Sequence, residues 1–228
     1  NVEQDIGLSG DTLDTASLLS FVGAYDGFVV SWYDQSGNGR TISQSTATSQ
    51  PQIVSSGSVI TSTNGLPALQ TDGADFLNGS GWTFPGVSNS IFCVWKANNG
   101  GSFQALFASN NNDNNSQYFV TRGTNSLRYF ETSGDFSGTA VGTNEFLVSI
   151  CQDSTPTALI QENNTTILNS STGISSTNTD GLRLFRRVNA NVPLASGAMI
   201  QEFIQFNSDL TSQITAVNTD INNYYSIY

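Results

Sequence analysis

The sequence predicts an all-β fold, either a sandwich or a barrel, from three observations. Short runs of β-branched and aromatic residues are separated by clusters of Gly, Asn and Ser at intervals near ten residues. A helical spacing of apolar residues is visible at only two places. The 228 residues are 37% hydrophobic and include 14 Phe, which suffices for a substantial core.

The first predicted element is a short helix over 14–23. Asp14 is a good N-cap, because its side chain can accept hydrogen bonds from the first helical turn. Gly23 can take the backbone conformation that ends a helix. Leu18, Leu19 and Val22 are expected to face a sheet.

From Phe28 onward the pattern changes to short strands broken by turn-forming residues. The pair Asn163-Asn164 is a two-residue hairpin signal. Three segments rich in Asn, Gly and Ser are predicted loops: 98–101, 109–116 and 132–144. The predicted strands are 28–33, 58–61, 66–71, 90–96, 103–108, 117–122, 127–131, 145–151, 157–161, 165–168, 181–187 and 198–206.

The last predicted element is a helix that follows residue 206. Its apolar residues are spaced by four, three and four positions, which places them on one helical face: Leu210, Ile214, Val217 and Ile221. Ser208 or Asn207 is expected to cap it.

The segment 31–40 indicates a strand that enters a tight turn. Asp34, Ser36 and Asn38 can bond to nearby backbone, and the two glycines of the segment allow positive φ. We expect a structural corner in which Trp32 fills the core. Asp34 or Arg40 would tie the turn to neighbouring loops.

Several of these segments also resemble a known family. The runs are Trp-Tyr-Asp-Gln-Ser-Gly-Asn-Gly at 32–39, Gln-Pro-Gln-Ile-Val at 50–54, Asn-Gly-Leu-Pro-Ala-Leu at 64–69 and Asp-Gly-Ala-Asp at 72–75. They resemble the opening of a concanavalin A-like jelly-roll domain of the laminin-G and pentraxin type. The later strands and terminal helix resemble the same family, so the resemblance covers nearly the whole chain. It implies an antiparallel two-sheet jelly-roll sandwich with a short N-terminal helix and a C-terminal helix.

The organisation and setting follow in part from this resemblance. With no linker or composition shift, residues 1–228 are expected to form one domain. The chain begins at Asn1, and family members usually have a further strand upstream, so we expect a piece of a longer or processed polypeptide. Domains of this kind occur in surface proteins of Bacteroidota and in fibres of their phages, which implies an extracellular location and a binding role.

The charge restricts the partners. Seven Lys and Arg against 18 Asp and Glu give a net charge of −11, and Lys96 is the only lysine. Such a chain has few groups that could neutralise phosphates, which argues against nucleic acid as a partner. No apolar run approaches the roughly 20 residues of a membrane helix, so membrane insertion is not expected.

The two cysteines leave two alternatives open. Cys93 and Cys151 each lie in a strand-like apolar run, where both can be buried thiols. In pentraxins the strands that these runs resemble are joined by a disulfide, and the resemblance implies the same pair here.

Histidine is absent, so a Ser-His-Asp triad, a Cys-His pair and a histidine metal site are all excluded. Residues 33–37, with Asp5-Ile6 upstream, also resemble part of the catalytic domain of fungal arabinofuranosidase B. The downstream catalytic motifs of that family are missing. The glutamates of the predicted strands occur singly: Glu131, Glu145, Glu162 and Glu202. We therefore expect no catalytic residues.

Calcium is the one cofactor that the composition leaves open, because Asp and Asn oxygens are its ligands. Asp113 and Asn114 resemble the Asp-Asn pair that binds calcium in pentraxins, although the acidic loop that completes that site is replaced here by the basic segment 186–191. Asp72 and Asp75 are a second candidate pair. For both pairs, the alternative is a solvated turn.

The sequence offers candidate ligand-binding residues of two kinds. Lectin-like sites combine an aromatic platform with polar groups on loops. The aromatic candidates are Trp82, Phe84, Phe103, Tyr118 and Tyr129, of which Trp82 lies in a turn-rich segment and is expected to be the most exposed. The polar candidates lie within 109–116 and include Asn111, Asp113 and Asn115.

Together these observations predict a non-catalytic carbohydrate-binding or adhesive module at a virion or bacterial surface. Its partners would be a glycan or surface polysaccharide and protein neighbours in a larger assembly. The alternative from another class is a structural building block that contacts only protein. A glycoside hydrolase is the third alternative.

Overall fold

The computed structural model describes residues 2–85, 87–98, 104–109, 119–122, 126–131, 134–139, 145–155, 157–170, 177, 179, 181–186 and 196–228. The helices are α1 Thr15–Val22 and α2 Ile214–Tyr225, and short 3-10 turns occupy Ala47–Ser49 and Thr211–Gln213. The first strands are β1 Leu8–Ser9, β2 Thr12–Leu13, β3 Gly27–Phe28, β4 Ser31–Trp32, β5 Ile42–Ser43, β6 Gln52–Ser55, β7 Ser58–Val59, β8 Leu69–Gln70, β9 Leu77–Gly79 and β10 Asn89–Lys96. The later strands are β11 Gln104–Ser109, β12 Phe119–Arg122, β13 Ser126–Glu131, β14 Gly134–Thr139, β15 Glu145–Gln152, β16 Ala158–Glu162, β17 Thr165–Ser170, β18 Leu182–Leu184 and β19 Met199–Phe206.

The strands form an antiparallel two-sheet jelly-roll sandwich, as the sequence predicts. Within the described residues, sheet I has the order β17-β16-β15-β10-β19-β8-β6-β3, with β7 paired to β6. Sheet II has the order β14-β13-β12-β11-β18-β9-β5-β4, and β1 pairs with β2 in a separate two-stranded sheet. The chain therefore passes repeatedly from one sheet to the other.

The main core lies between the two sheets. Trp95, Phe146 and Ile200 of sheet I are fully buried, as are Leu106 and Leu184 of sheet II, and all five belong to one apolar cluster. In β10 the residues of this cluster occupy alternate positions, Ile91, Cys93 and Trp95, because successive side chains of a strand point to opposite faces.

Helix α2 covers part of the outer face of sheet I. Ile214 and Ile221 pack there against Phe92, Val94 and Leu147. Strands β10 and β15 are thus covered on both faces, which explains why their sequences are continuously apolar rather than alternating.

Helix α1 confirms the prediction made for it. The Asp14 carboxylate accepts hydrogen bonds from the backbone N–H (3.0 Å) and hydroxyl (2.6 Å) of Ser17, and these bonds lower the pKa of Asp14. Gly23 has φ 64° and ends the helix. Leu18 is buried, and Leu19 and Val22 pack against the main core.

The predicted cap of α2 is wrong, although its apolar face is confirmed. The backbone oxygen of Ser208 accepts a hydrogen bond from Ser90 Oγ. The carboxylate of Asp209, one residue later, instead accepts the backbone N–H of Thr211 at 2.8 Å, which begins the 3-10 turn before the helix. The N-cap positions are Leu210 for the 3-10 turn and Gln213 for α2, and neither side chain makes a capping hydrogen bond.

One predicted strand and one predicted loop are also wrong in detail. The predicted strand 28–33 is divided between β3 of sheet I and β4 of sheet II. The predicted loop 132–144 contains β14, which pairs with β13 in a regular register. Continuous apolar character cannot reveal where a chain changes sheets, and polar residues still form a strand when a neighbour supplies hydrogen bonds.

The Asn163-Asn164 hairpin and the corner at Asp34 form as predicted, except that the hydrogen bonds of Asp34 stay within the corner and do not reach a neighbouring loop. Both asparagines have positive φ (51° and 59°), as a two-residue hairpin turn between β16 and β17 requires. The Asp34 carboxylate accepts hydrogen bonds from Ser36 N at 2.8 Å and Arg40 N at 2.9 Å, which fixes the corner.

Cys93 and Cys151 are buried free thiols, so the disulfide that the resemblance implied is absent. The register of β10 and β15 pairs Cys93 with Val148 and Ser90 with Cys151. The two thiols are therefore three positions apart along the sheet and lie on opposite faces: Cys93 belongs to the main core and Cys151 to the cluster under α2. Burial raises the pKa of both thiols.

Candidate functional site

The candidate site lies on the outer face of sheet I, at the β8-β6-β3 side. Ile53 and Leu69 of these strands point into the main core. Their neighbours Gln52 and Gln70 therefore point outward. The register aligns Phe28 with Gln52, and Gln52 with Gln70, so these three residues form one row across three adjacent strands.

This row is part of a groove with a volume of about 530 Å³. We call it the Gln–Asp groove after its main polar side chains. Its lining consists of Phe28, Ala47, Thr48, Gln50, Gln52, Gln70, Thr71, Asp72, Asp75, Ser196 and Gly197.

Phe28 supplies the exposed aromatic surface of the groove, with 50% of the residue accessible to solvent. Its position depends on Gly27, where an added Cβ would lie 3.0 Å from Val22 Cγ2 and 3.1 Å from Val54 Cβ. Only glycine fits between α1 and β6 without displacing either, so Gly27 holds β3 close to the helix.

The loop 71–75 forms one wall and is fixed by its own hydrogen bonds. Asp72 N donates to Asp75 Oδ2 at 2.8 Å, and Ala74 N donates to Asp72 Oδ1 at 2.7 Å. The loop is attached to the opposite wall because Gly197 N donates to Thr71 O at 2.7 Å. The two walls are therefore held in a defined relative position.

Gln50 anchors the end of the groove beside the 3-10 turn. Its side-chain amide donates to Gln44 O at 2.8 Å, and both glutamines are buried. Gln52, which lines the groove, donates from its side-chain nitrogen to Val54 O at 3.0 Å, so its side-chain oxygen keeps its acceptor capacity. The side-chain amide of Gln70 makes no hydrogen bond with the described part of the chain.

The two carboxyl groups of the groove differ in environment. Asp72 is exposed, whereas only 5% of Asp75 is accessible. Burial raises the pKa of Asp75 to about 6, and the nearby carboxylate of Asp72 adds to this rise. Hydrogen bonds from Asp72 N and Thr71 act in the opposite direction and lower it.

The groove can bind a ligand that has an apolar face and several hydroxyl groups. An exposed aromatic ring offers a flat apolar contact. A carboxylate accepts hydrogen bonds, and a free side-chain amide both donates and accepts them. No Lys or Arg is among the described residues that line the groove.

Trp82 and Phe84 are not open platforms, which corrects the expectation for both. Trp82 is half-buried: its Nε1 donates to Arg40 O at 3.0 Å, and its ring meets Phe203 edge-on at 5.6 Å. The indole lies over Gly79, where a Cβ would come within 2.6 Å of Trp82 Cδ1. Phe84 is fully buried. The turn-rich segment therefore folds its aromatic residues inward.

The other predicted binding residues lie outside the described residues. These are Asn111, Asp113, Asn114, Asn115 and Tyr118, together with Phe103; the backbone of Tyr129 is described within β13, but its side chain is not. The calcium site at Asp113 and Asn114 accordingly stays a prediction. Within the described part of the chain, no cluster of three or more Cys, Asp or Glu residues could hold a metal ion.

Of the sequence candidates, the structure brings Asp72 and Asp75 together in the groove. Sequence reasoning missed Phe28, Gln52 and Gln70 as site residues. The available signal was the presence of polar side chains next to apolar ones, at Gln50 and Gln52 around Pro51. It could not show that these residues lie beside Phe28 and Gln70, because that depends on strand register.

No helix in the described ranges is long and apolar enough to span a membrane.

No family model matches this chain, and no curated protein matches it either. Solved structures do match it. The binding domain of Paraclostridial Mosquitocidal Protein 1 superposes with a TM-score of 0.61 at 13% identity, over 96% of this chain and 51% of that chain.

Two further structures show the same fold. The botulinum neurotoxin type G receptor binding domain has a TM-score of 0.57 at 14% identity, over 89% of this chain and 51% of that one. A GH54 α-L-arabinofuranosidase soaked with a cyclic sulfate inhibitor has a TM-score of 0.63 at 10% identity. The match covers 93% of this chain and 54% of that chain. The chain thus spans about half the length of each of these structures, and at such identities the similarity establishes the fold alone.

Proposed function

We propose that this protein is a non-catalytic, extracellular carbohydrate-binding module, and that the Gln–Asp groove receives the glycan. One observation carries the proposal: exposed Phe28 lies in one row with Gln52 and Gln70, in a groove that also contains the Asp72 carboxylate. Sugar rings present an apolar face and a hydroxyl-bearing edge. An aromatic ring beside amides and carboxylates complements both.

Two of the structural neighbours support a binding role. The mosquitocidal structure is that of a binding domain, and the botulinum neurotoxin structure is that of a receptor binding domain. The proposed setting is the surface of a phage virion or of a bacterial cell. It is supported by the family resemblance of the sequence and by a surface that is poor in charge, since only 11% of the residues are charged.

The test is a glycan array followed by titration calorimetry on the glycans that bind, each with and without calcium. Phe28→Ala is expected to weaken binding about tenfold or more, because it removes the aromatic contact. Gln70→Ala should weaken it less. Tyr25→Ala is the matched control, since Tyr25 is 79% exposed but does not line the groove.

Two results would contradict the proposal: no binding to any glycan class, or equal affinities for Phe28→Ala and Tyr25→Ala. In the first case the structural building block, which contacts only protein, becomes the better interpretation. The comparison of binding with and without calcium separately tests the predicted calcium site at Asp113 and Asn114.

A second candidate function is glycan hydrolysis. It is favoured by Asp75, whose pKa is raised to about 6, so that it holds a proton at mildly acidic pH beside the exposed carboxylate of Asp72. Paired carboxyls of unequal pKa are what glycoside hydrolysis uses, and one structural neighbour is an arabinofuranosidase. Release of reducing sugar that is lost in Asp75→Asn would establish this candidate over simple binding.

A further inference from the structure

The charge of the Gln–Asp groove determines which glycans it can accept. Its described lining contains the carboxyl groups of Asp72 and Asp75 but no Lys or Arg, and the remaining lining residues are uncharged. The whole chain carries a net charge of −11, so its long-range field disfavours anions. Arg183 and Arg186 are the described cations beside the loop that bears Asp75, with guanidinium carbons 4.5 and 5.6 Å from the ring centroid of Phe76, but neither lines the groove.

We infer that the groove selects neutral glycans and rejects glycans that carry carboxylate, sulfate or phosphate groups. This inference rests on the proposed function and names its ligand class. A carboxylate in the ligand would face Asp72 with no cation from the described lining between them, and it would replace hydroxyl donors with groups that can only accept hydrogen bonds.

The arrangement of hydrogen-bond groups supports the same conclusion. Asp72 Oδ1 accepts one backbone hydrogen bond, from Ala74 N, and the exposed carboxylate keeps further acceptor capacity. Sugar hydroxyls supply the matching donors. The unbonded amide of Gln70 can serve either a hydroxyl or a ring oxygen, and neither contact requires charge.

The groove becomes less negative as the pH falls. Among its described lining residues, Asp72 and Asp75 are the titratable groups, and no titratable side chain comes from β3, β6, β8 or residues 196–197. Protonation of Asp75 between neutral pH and pH 5 therefore removes one of two negative charges. Discrimination against acidic glycans should weaken over this range, whereas the hydrogen bonds to a neutral ligand remain.

The experiment compares matched probes that differ in acidic groups: galacto-oligosaccharides against galacturonate oligomers, and lactose against sialyllactose. Binding is measured in low salt at about pH 7.5 and about pH 5, on either side of the pKa of Asp75. For the native protein, the neutral member of a pair is expected to bind at least about tenfold more tightly at the higher pH.

Asp72→Asn should reduce this preference at least about threefold, because it removes the exposed charge. Asp11→Asn is the matched control: it makes the same charge change at an exposed residue outside the groove, and it should leave the preference unchanged.

Equal or tighter binding of the acidic member would overturn the inference and leave the proposed function standing. An equal effect of Asp72→Asn and Asp11→Asn on the preference for neutral glycans would also overturn the inference and leave the proposed function standing. Failure of every neutral and acidic probe to bind would overturn both the inference and the proposed function.

Discussion

At the scale of single residues, Asp75 has the environment with the clearest energetic consequence. Its carboxyl group is almost completely buried near the carboxylate of Asp72, and it accepts a hydrogen bond from the backbone N–H of Asp72. The pKa is raised from 3.8 to about 6 because burial and the neighbouring charge outweigh the hydrogen bonds. The native state therefore binds this proton more tightly than the unfolded chain does.

The pH dependence follows from that difference. Between about pH 4 and pH 6 the native state holds more protons than the unfolded state, so the contribution of Asp75 to stability falls as the pH rises through this window. We predict that Asp75→Asn, which keeps the acceptor for Asp72 N, raises the free energy of unfolding near pH 7.5 by up to about 3 kcal/mol. Urea titrations at several pH values measure this.

Asp153→Asn is a control for which we expect the opposite change in the free energy of unfolding at neutral pH. Hydrogen bonds from Thr157 and Thr155 lower the pKa of Asp153 to about 2, so its contribution is present at neutral pH and is lost only as the pH falls toward that value. This variant should be less stable than the native protein at neutral pH. If the free energy of unfolding depended on pH in the same way in Asp75→Asn and in the native protein, this result would contradict the assigned environment of Asp75.

Residues whose roles depend on local geometry were predictable from the sequence. Asp14, Gly23 and the Asn163-Asn164 pair act through their own backbone conformation and their nearest neighbours. Trp82 and the cysteines were not predictable in this way. Their environments depend on Gly79 beneath the indole and on the register that separates the two thiols.

At the scale of elements, helix α2 is positioned by a buried polar contact as well as by its apolar face. Asn218 is fully buried. Its Oδ1 accepts from Ser149 Oγ at 2.5 Å, and its Nδ2 donates to Gln161 Oε1 at 2.9 Å and to Asn164 Oδ1 at 3.3 Å. These bonds link the helix to β15, β16 and the hairpin turn, which fixes its rotation on sheet I.

We predict that Asn218→Ala lowers the free energy of unfolding by about 3 kcal/mol, because it leaves the buried groups of Ser149 and Gln161 without their partner. Thr219→Ala, at the next and exposed position of the same helix, should change stability by less than about 0.5 kcal/mol. Urea unfolding measures both. Similar losses in the two variants would show that the polar contact does not hold α2.

At the scale of the whole molecule, one apolar cluster joins the two sheets. Phe107 of β11 stacks on Phe84 at 6.2 Å and meets Phe203 of β19 edge-on at 5.2 Å. An aromatic bridge therefore connects sheet II to sheet I. Because both sheets contribute to this main core, we propose that residues 1–228 form one domain.

This arrangement predicts one cooperative unfolding transition, with tryptophan fluorescence and far-ultraviolet circular dichroism changing together. Phe107→Ala should destabilise the protein by about 3 to 5 kcal/mol, since it leaves a cavity between the sheets. Both optical signals should shift by the same amount in this variant. Separate transitions, or a shift in only one signal, would indicate that the sheets unfold independently.

The fold class, the two helices and the strongest turns were predictable from the amino-acid pattern, because apolar periodicity, caps and positive-φ residues act over a few positions. The sequence also excluded histidine chemistry and indicated a binding role. Only the tertiary structure divided 28–33 between two sheets, separated the cysteines and brought Phe28 beside Gln52 and Gln70. Strand register decides these features, and it is set by contacts between segments far apart in the chain.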